Sequence, residues 1–247
     1  MIFFVSGNDT NIGKTFVSSL LIKLLKSKYE KVAYIKPIES GIKNLKNSDL
    51  SKVRNLYNLG EEVDFYQFSI FNEPVAPLTA SIIEKKKINY QSIVKKIKKL
   101  ESEYDIMLIE GAGGLRGPLT MDKEIVDLIK SIKARVLLVI SPNLGTLNHT
   151  YMSIETLKSR KIKFEGIIIN SYPKNPNISN LHNPILINKK KINILGVVPK
   201  ISKSNQKNKN FRLKSFFHPL LGGQFSQREF IKKCQDKFNI LLKKYAN

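Results

Sequence analysis

Apolar residues in this chain gather into short unbroken runs, separated by stretches in which they recur every third or fourth position. The first run, Met-Ile-Phe-Phe-Val over 1–5, is bounded by Ser6 and Gly7 and reads as a strand buried on both faces. Over 15–28, Val17, Leu20, Leu21 and Leu24 share one side of a 3.6-residue period, which predicts an amphipathic helix. The same alternation continues with a strand over 31–35, broken by Pro37 after Lys36, and a helix over 47–59. Asn47 or Ser48 is the candidate cap of that helix, and Asp49 lies in its first turn. The stretch 71–81 holds two prolines that interrupt any element, and a lysine-rich helix is expected over 90–103. Strands follow over 105–109, 135–140 and 166–169, with a shorter one over 194–198. Residues 171–191, rich in Asn and Pro, read as loop with at most one short helix, and 201–210 as a polar loop before a final helix over 227–245. Strands alternating with helices predict an α/β fold, a doubly wound, mainly parallel sheet with helices on both faces. The polar interruptions read as loops within a single domain spanning 1–247.

Composition narrows the class without changing it. The 247 residues, 42% of them hydrophobic, can bury one sizeable core. No run approaches the length of about 18 apolar residues that a membrane helix needs, and the 1–5 run is too short for a signal-peptide core. The single cysteine, Cys234, has no internal partner, so a soluble protein of the reducing cytoplasm is expected. A net charge of +22 raises the question of nucleic acid. Of the 42 basic residues, however, all but Arg54, Arg116, Arg135, Arg160, Arg212 and Arg228 are lysine, spread over nearly every surface segment. Arginine is the usual reader of bases and clamp of phosphates. With no nucleic-acid-binding motif present, specific binding of nucleic acid is not expected, and neither is a membrane partner.

The chemistry is concentrated where strands end. After the first strand comes G-N-D-T-N-I-G-K-T, Gly7 to Thr15, a loop that opens a helix. Backbone N–H groups of such a loop, with the positive end of the helix, surround phosphate oxygens. Lys14 then offers a charge to the β- and γ-phosphates, and Thr15 a hydroxyl to Mg²⁺. The general pattern G-x-x-x-x-G-K-[ST] is missed by one residue, because Asn8 stands where its first glycine belongs. Lys36 to Gly41 follows the second strand, Glu110 to Gly114 the central one, Pro142 to Asn148 the next, and Asn170 the one after. In an open parallel sheet the ligand crevice lies along that edge. Mg²⁺ on phosphates takes hard oxygen ligands, which Thr15, Asp49 and Glu110 supply. Lys36, between an apolar strand and a proline, has no helical face to occupy and reads as catalytic.

Taken in order, these segments resemble the dethiobiotin synthetase family, ATP-dependent enzymes with a P-loop NTPase fold. The family's G-T-D-T-x-V-G-K-T is G-N-D-T-N-I-G-K-T here, including the displaced first glycine. K-P-[VI]-x-S-G is K-P-I-E-S-G from Lys36, N-S-D is Asn47 to Asp49, and E-G-A-G-G is Glu110 to Gly114. L-G-x-[IL]-N-H is L-G-T-L-N-H from Leu144 to His149, and G-x-[IV]-P is G-V-V-P from Gly196 to Pro199. The likeness covers about residues 1–200 and departs mildly at Asn8, usually Thr, and Asn11, often acidic.

The resemblance implies that 7,8-diaminononanoate, CO₂ and ATP, with Mg²⁺, give dethiobiotin, ADP and phosphate in biotin biosynthesis. A carbamate and a carbamic-phosphoric anhydride are the implied intermediates. Lys36 and Lys14 are the implied catalytic residues. Nucleotide binding is implied for Asn11, Ile12, Gly13, Lys14, Thr15, Glu110, Gly111, Gly113 and Gly114, with Asn170 reading adenine and the loop after Pro199 closing over the base. Substrate contacts are implied for Thr10, Lys36 and Ser40. Leu144, Gly145 and Asn148 are implied to belong to a helix start that receives the carboxylate of substrate bound at the other subunit, so a homodimer is implied. Two other readings exist. One is an ATPase that positions macromolecules, whose loop takes a lysine five residues before the main one; here that residue is Asp9. The other is a basic interaction protein on the same fold, with the chemistry lost.

Overall fold

The computed structural model describes residues 1–201 and 212–245. Seven strands form one sheet: β1 (Ile2–Gly7), β2 (Val32–Glu39), β3 (Asp64–Ile70), β4 (Ile106–Glu110), β5 (Arg135–Ile140), β6 (Phe164–Tyr172) and β7 (Ile194–Pro199). Their order is β3-β2-β4-β1-β5-β6-β7, and every pairing is parallel. The strand pleat divides the core. Ile2 and Phe4 of β1, Ala33 and Ile35 of β2, and Met107 and Ile109 of β4 point to one face. That face is covered by α3 (Pro77–Ile83), α4 (Tyr90–Leu100), α5 (Ile125–Ser131) and Leu157 of α6 (Thr146–Ser159). Phe3, Val5, Tyr34 and Leu108 point the other way, onto α1 (Lys14–Lys26) and Val53 of α2 (Asp49–Leu56). Burial of both faces explains why the strands read as unbroken apolar runs rather than alternating ones.

Three features exceed the sequence reading. The edge strand β3, D-F-Y-Q-F-S-I, is mostly half-buried, so it lacks the apolar run that marks the central strands. In α3, Pro77 is the first helical residue, where its missing N–H has no intrahelical partner to lose, so the proline read as a breaker starts a helix. Finally, α7 (Ile178–Lys189) runs twelve residues through a segment expected to be loop. Asn177 and Asn180 close a reciprocal cap at its start. Pro184 inside α7 cannot bond the Asn180 carbonyl one turn earlier, and that carbonyl accepts instead from the Tyr172 hydroxyl at 3.2 Å. α7 packs on α8 (Gln227–Tyr245), where Leu181, Ile185 and Cys234 are buried together. Apart from Ile201, the polar loop expected over 201–210 lies outside the described residues. Among the described residues no helix is long and apolar enough to cross a membrane.

Candidate functional site

Because every strand is parallel, β1, β2 and β4 deliver their carboxyl ends to one edge, and β4 lies between the other two. A cavity of about 1160 Å³ opens there. The phosphate loop borders it through Thr10, Asn11, Gly13, Lys14 and Thr15, and the turn after β4 through Gly111, Gly113 and Gly114. Gly13 caps α1 with φ of 88°, and a Cβ there would come within 2.1 Å of Asn170 Nδ2, so both backbone and space demand glycine. At Gly113 (φ 78°) a Cβ would meet nothing within 4 Å, which leaves that backbone open for a ligand to approach.

Charged groups from four elements, α1, β2, α2 and β4, meet in this cavity. One step beyond the paired residues Ile35 and Ile109 stand Lys36 and Glu110. Lys36 Nζ donates to Glu110 Oε1 at 2.9 Å and lies 2.9 Å from Asp49 Oδ2. It also reaches the Gly111 carbonyl at 3.3 Å. Thr15 Oγ1 donates to the same Glu110 oxygen at 2.8 Å, and the Tyr34 hydroxyl donates to Glu110 Oε2 at 2.9 Å. Glu110 and Tyr34 have no exposed surface, and Lys36 is 3% exposed. A carboxylate so buried is held only because cation and hydroxyl partners replace its water.

The environment sets the protonation states. Burial pulls the Lys36 ammonium down, but Glu110 and Asp49 outweigh it and hold the group above its ordinary value. Burial favours a neutral Asp49, yet Lys36 and then Lys52 keep it below the usual carboxylate range. Lys14 is lowered by burial, partly offset by Glu110; its Nζ lies 3.5 Å from the Asp9 carbonyl. Burial first, then Glu110, raise Tyr34 well above the ordinary phenol, so its hydroxyl stays a donor.

Two contributors escaped the sequence reading. Glu39, 3% exposed at the end of β2, accepts the Asp49 backbone N–H through Oε1 and Gln67 Nε2 through Oε2, both at 2.6 Å. Burial pushes its carboxyl up to about 7. Tyr34 is the other. It sits two residues before Lys36, and in a strand that spacing puts both on the same face. Period two was the signal available for Tyr34; Glu39 needed knowledge of β3, which supplies Gln67.

The remaining sequence candidates lie differently. Ser40 borders the cavity and donates to the Val75 carbonyl at 2.7 Å. Asn170, 4% exposed, sits behind the phosphate loop, donating through Nδ2 to the Ile12 carbonyl at 2.8 Å. Its Oδ1 is buried and finds no hydrogen-bond partner among the described residues. Ile12, Asn170, Pro199, Leu144, Gly145 and Asn148 do not border the cavity, and Leu144 is 88% exposed. Among the described residues no group of three or more His, Cys, Asp or Glu could hold a metal ion. Two carboxylates and a hydroxyl beside a phosphate loop nonetheless fit Mg²⁺, which takes few protein oxygens and completes its shell with phosphate and water.

Sheet order, the glycine-capped loop and the lysine that follows it define a nucleotide-binding protein of the P-loop class. A family model described as AAA domain matches residues 2–208. The fold is shared with the cell division ATPase MinD of Pyrococcus furiosus (TM-score 0.55, 17% identity, 97% of this chain and 98% of that one). It is shared likewise with a ParA family ATPase from Chlorobium tepidum (TM-score 0.55, 14% identity, 95% and 98%). Over sequence, the chain is 36% identical across 204 residues to the ATP-dependent dethiobiotin synthetase BioD of Bacillus licheniformis, covering 81% of this chain and 86% of the relative. It is 34% identical across 218 residues to the protein of that name from Thermodesulfovibrio yellowstonii, covering 83% and 90%. The chain belongs to the dethiobiotin synthetase family.

Proposed function

We propose that this protein carries out the ATP-dependent synthesis of dethiobiotin from 7,8-diaminononanoate and CO₂, releasing ADP and phosphate, in the biotin pathway of the cytoplasm. The observation that carries the reading is the buried Lys36 ammonium held between Glu110 and Asp49 at the cavity edge, beside the phosphate loop. Two anions, the carbamate of the substrate and the γ-phosphate of ATP, must meet for the phosphoryl group to move. A fixed cation at their meeting point lowers the repulsion without having to reorganise. The carbamate oxygen attacks the γ-phosphorus, ADP leaves, and the second amine closes the ring on the carbamic-phosphoric anhydride with loss of phosphate. No protein nucleophile is needed in this sequence, because the carbamate oxygen and the second amine of the substrate are the attacking groups.

Lys14, with the N–H groups of Asn11 to Thr15, holds the β- and γ-phosphates. Thr15, Asp49 and Glu110 hold Mg²⁺, which when bound offsets phosphate charge and fixes the phosphate conformation. Thr10 and Ser40 orient the carbamate and diamine; Ser40 exchanges its present bond to Val75 for one to substrate. Asn170, through the Oδ1 that finds no partner among the described residues, and Pro199 hold the adenine. Residues 1–247 act as one domain. Leu144, Gly145 and Asn148, which do not border this chain's cavity, complete the diamine site of a second copy, so the active species is a homodimer. The test is ADP release with MgATP and bicarbonate, with and without diamine, with dethiobiotin followed by mass. Diamine-dependent ADP matched by product supports the reading; ATP binding without response to the diamine overturns it.

A further inference from the structure

Glu110 offers two oxygens, and the structure uses them unequally. Both groups from the cavity side, Thr15 Oγ1 and Lys36 Nζ, converge on Oε1, while Oε2 is turned inward. There the Tyr34 hydroxyl meets it at 2.9 Å. Tyr34 belongs to the fully buried layer under α1, beside Val5, Leu108 and the tilted ring of Phe65, with centroids 5.9 Å apart. A phenol hydroxyl in such a layer needs a partner, and a carboxylate oxygen there needs a donor. The register supplies the match: Tyr34 pairs with Leu108, two residues before Glu110 on β4, and Lys36 stands two residues beyond Tyr34 on β2. One strand face therefore presents a neutral donor to the back of the carboxylate and a cation to its front.

We propose that Tyr34 is a positioning residue: by occupying Glu110 Oε2 it fixes the rotation of the carboxylate so that Oε1 faces the cavity, where a divalent cation on the nucleotide phosphates is held. Without this bond the carboxylate keeps its Oε1 contacts to Thr15 and Lys36 but loses the restraint on its plane, and that misalignment weakens the metal contact before it affects chemistry. The inference rests on the proposed Mg²⁺ role of Glu110 and Thr15, but not on the identity of the second substrate.

The experiment is Tyr34→Phe, which deletes one oxygen and keeps the ring. Calorimetry of Mg²⁺ binding to the protein saturated with ADP, without diamine, reads the metal directly; ADP affinity in EDTA reads the nucleotide pocket alone. The expected result is Mg²⁺ affinity weakened about 10-fold, the usual scale for removing a bond behind a metal ligand, with ADP affinity in EDTA within twofold of the parent. Unchanged Mg²⁺ affinity overturns the proposal, and so does a parallel loss of both affinities, which marks general loosening. Should Tyr34→Phe not fold, Tyr34→Met, which also removes the hydroxyl but replaces the rigid ring with a flexible apolar chain, is read in the same two titrations. Weakened Mg²⁺ affinity with ADP affinity in EDTA retained supports the proposal; unchanged Mg²⁺ affinity or a parallel loss of both overturns it. Absence of diamine-dependent turnover in the parent protein would fell the proposed reaction while leaving these binding outcomes readable.

Discussion

The two halves of the sheet's carboxyl edge are finished in different ways. At the ends of β1, β2 and β4, charged side chains are buried, cross-linked and turned into one cavity. Past the ends of β5, β6 and β7 the buried polar groups are neutral, and their amides tie the chain to itself. Asn180 and Asn183 both donate to the Pro142 carbonyl, Asn170 holds the phosphate loop from behind, and Leu144 stands in the open. The first half is electrostatically complete within one chain. The second keeps its family motif residues away from that cavity, so any part they play in the reaction comes through a second copy or through closure upon ligand.

The largest expected effect breaks the first half. Lys36→Ala should lower turnover by on the order of 10²-fold or more, as loss of a fixed charge stabiliser does. Lys14→Ala should lower turnover comparably. The pair differ in stability. Removing Lys36 leaves Glu110 and Asp49 facing each other without their shared cation, a loss on the order of 3–5 kcal/mol for a buried pair broken on one side. Lys14 makes no ion pair within 4 Å of a carboxylate among the described residues, so Lys14→Ala should unfold in denaturant near the parent midpoint. Equal midpoints for the two variants would refute the shared-cation account.

The next effect tests the second half. If Leu144 to Asn148 serve the partner's site, Asn148→Ala and Lys36→Ala damage different halves of one composite site. Mixing the two weakly active proteins under conditions of subunit exchange then creates mixed dimers with one intact site. Activity should rise toward about a quarter of the parent value, the statistical share for random pairing. A mixture no more active than the mean of its components places the asparagine outside the substrate site or inside its own chain's cavity.

The contrast also explains what could be read from sequence. The phosphate loop, Lys36, Asp49 and Glu110 were legible because each is announced locally, by a glycine, a proline or a capping pattern at the end of an apolar run. The central strands were legible because burial on both faces leaves continuous runs. β3 was not, because an edge strand half-covered on one side shows neither a run nor clean alternation. α7 was not, because its Asn and Pro content mimics loop; the cap closed by Asn177 and the Tyr172 hydroxyl that satisfies the proline-freed carbonyl are tertiary facts. Glu39 fell in the same gap: its value to the site depends on Gln67 of the unread strand.

Glu39 brings a pH dependence of intermediate size. The unfolded chain releases this proton near 4.5, and the folded protein holds it until about 7. Between those values the folded state binds more protons, so this group's contribution to stability falls as pH rises through the window and is level above it. Glu39→Gln keeps an acceptor for the Asp49 N–H and removes the titration. Relative to the parent, it should gain roughly 2–3 kcal/mol between pH 4 and pH 8, read from denaturant unfolding at both pH values. A constant difference between the two proteins across that range would show that Glu39 is solvated well enough to ionise normally.

The smallest effect sharpens the comparison at two helix starts. α2, in the charged half, begins with Ser48, 1% exposed, whose Oγ accepts the Ser51 N–H at 3.1 Å. α6, in the neutral half, begins at Gly145, with φ of 89° and no side-chain cap. A capped start has spent its free N–H groups on the protein, whereas an uncapped one keeps them for an anion. Ser48→Ala should therefore cost about 1 kcal/mol of stability, the usual value of such a cap, and leave the KM for diamine within twofold. Shortening the diamine's carboxylate-bearing chain should raise KM equally in the parent and in Ser48→Ala. If the variant instead loses its sensitivity to that shortening, the substrate carboxylate sits at α2, and the division of labour between the two halves of the edge is reversed.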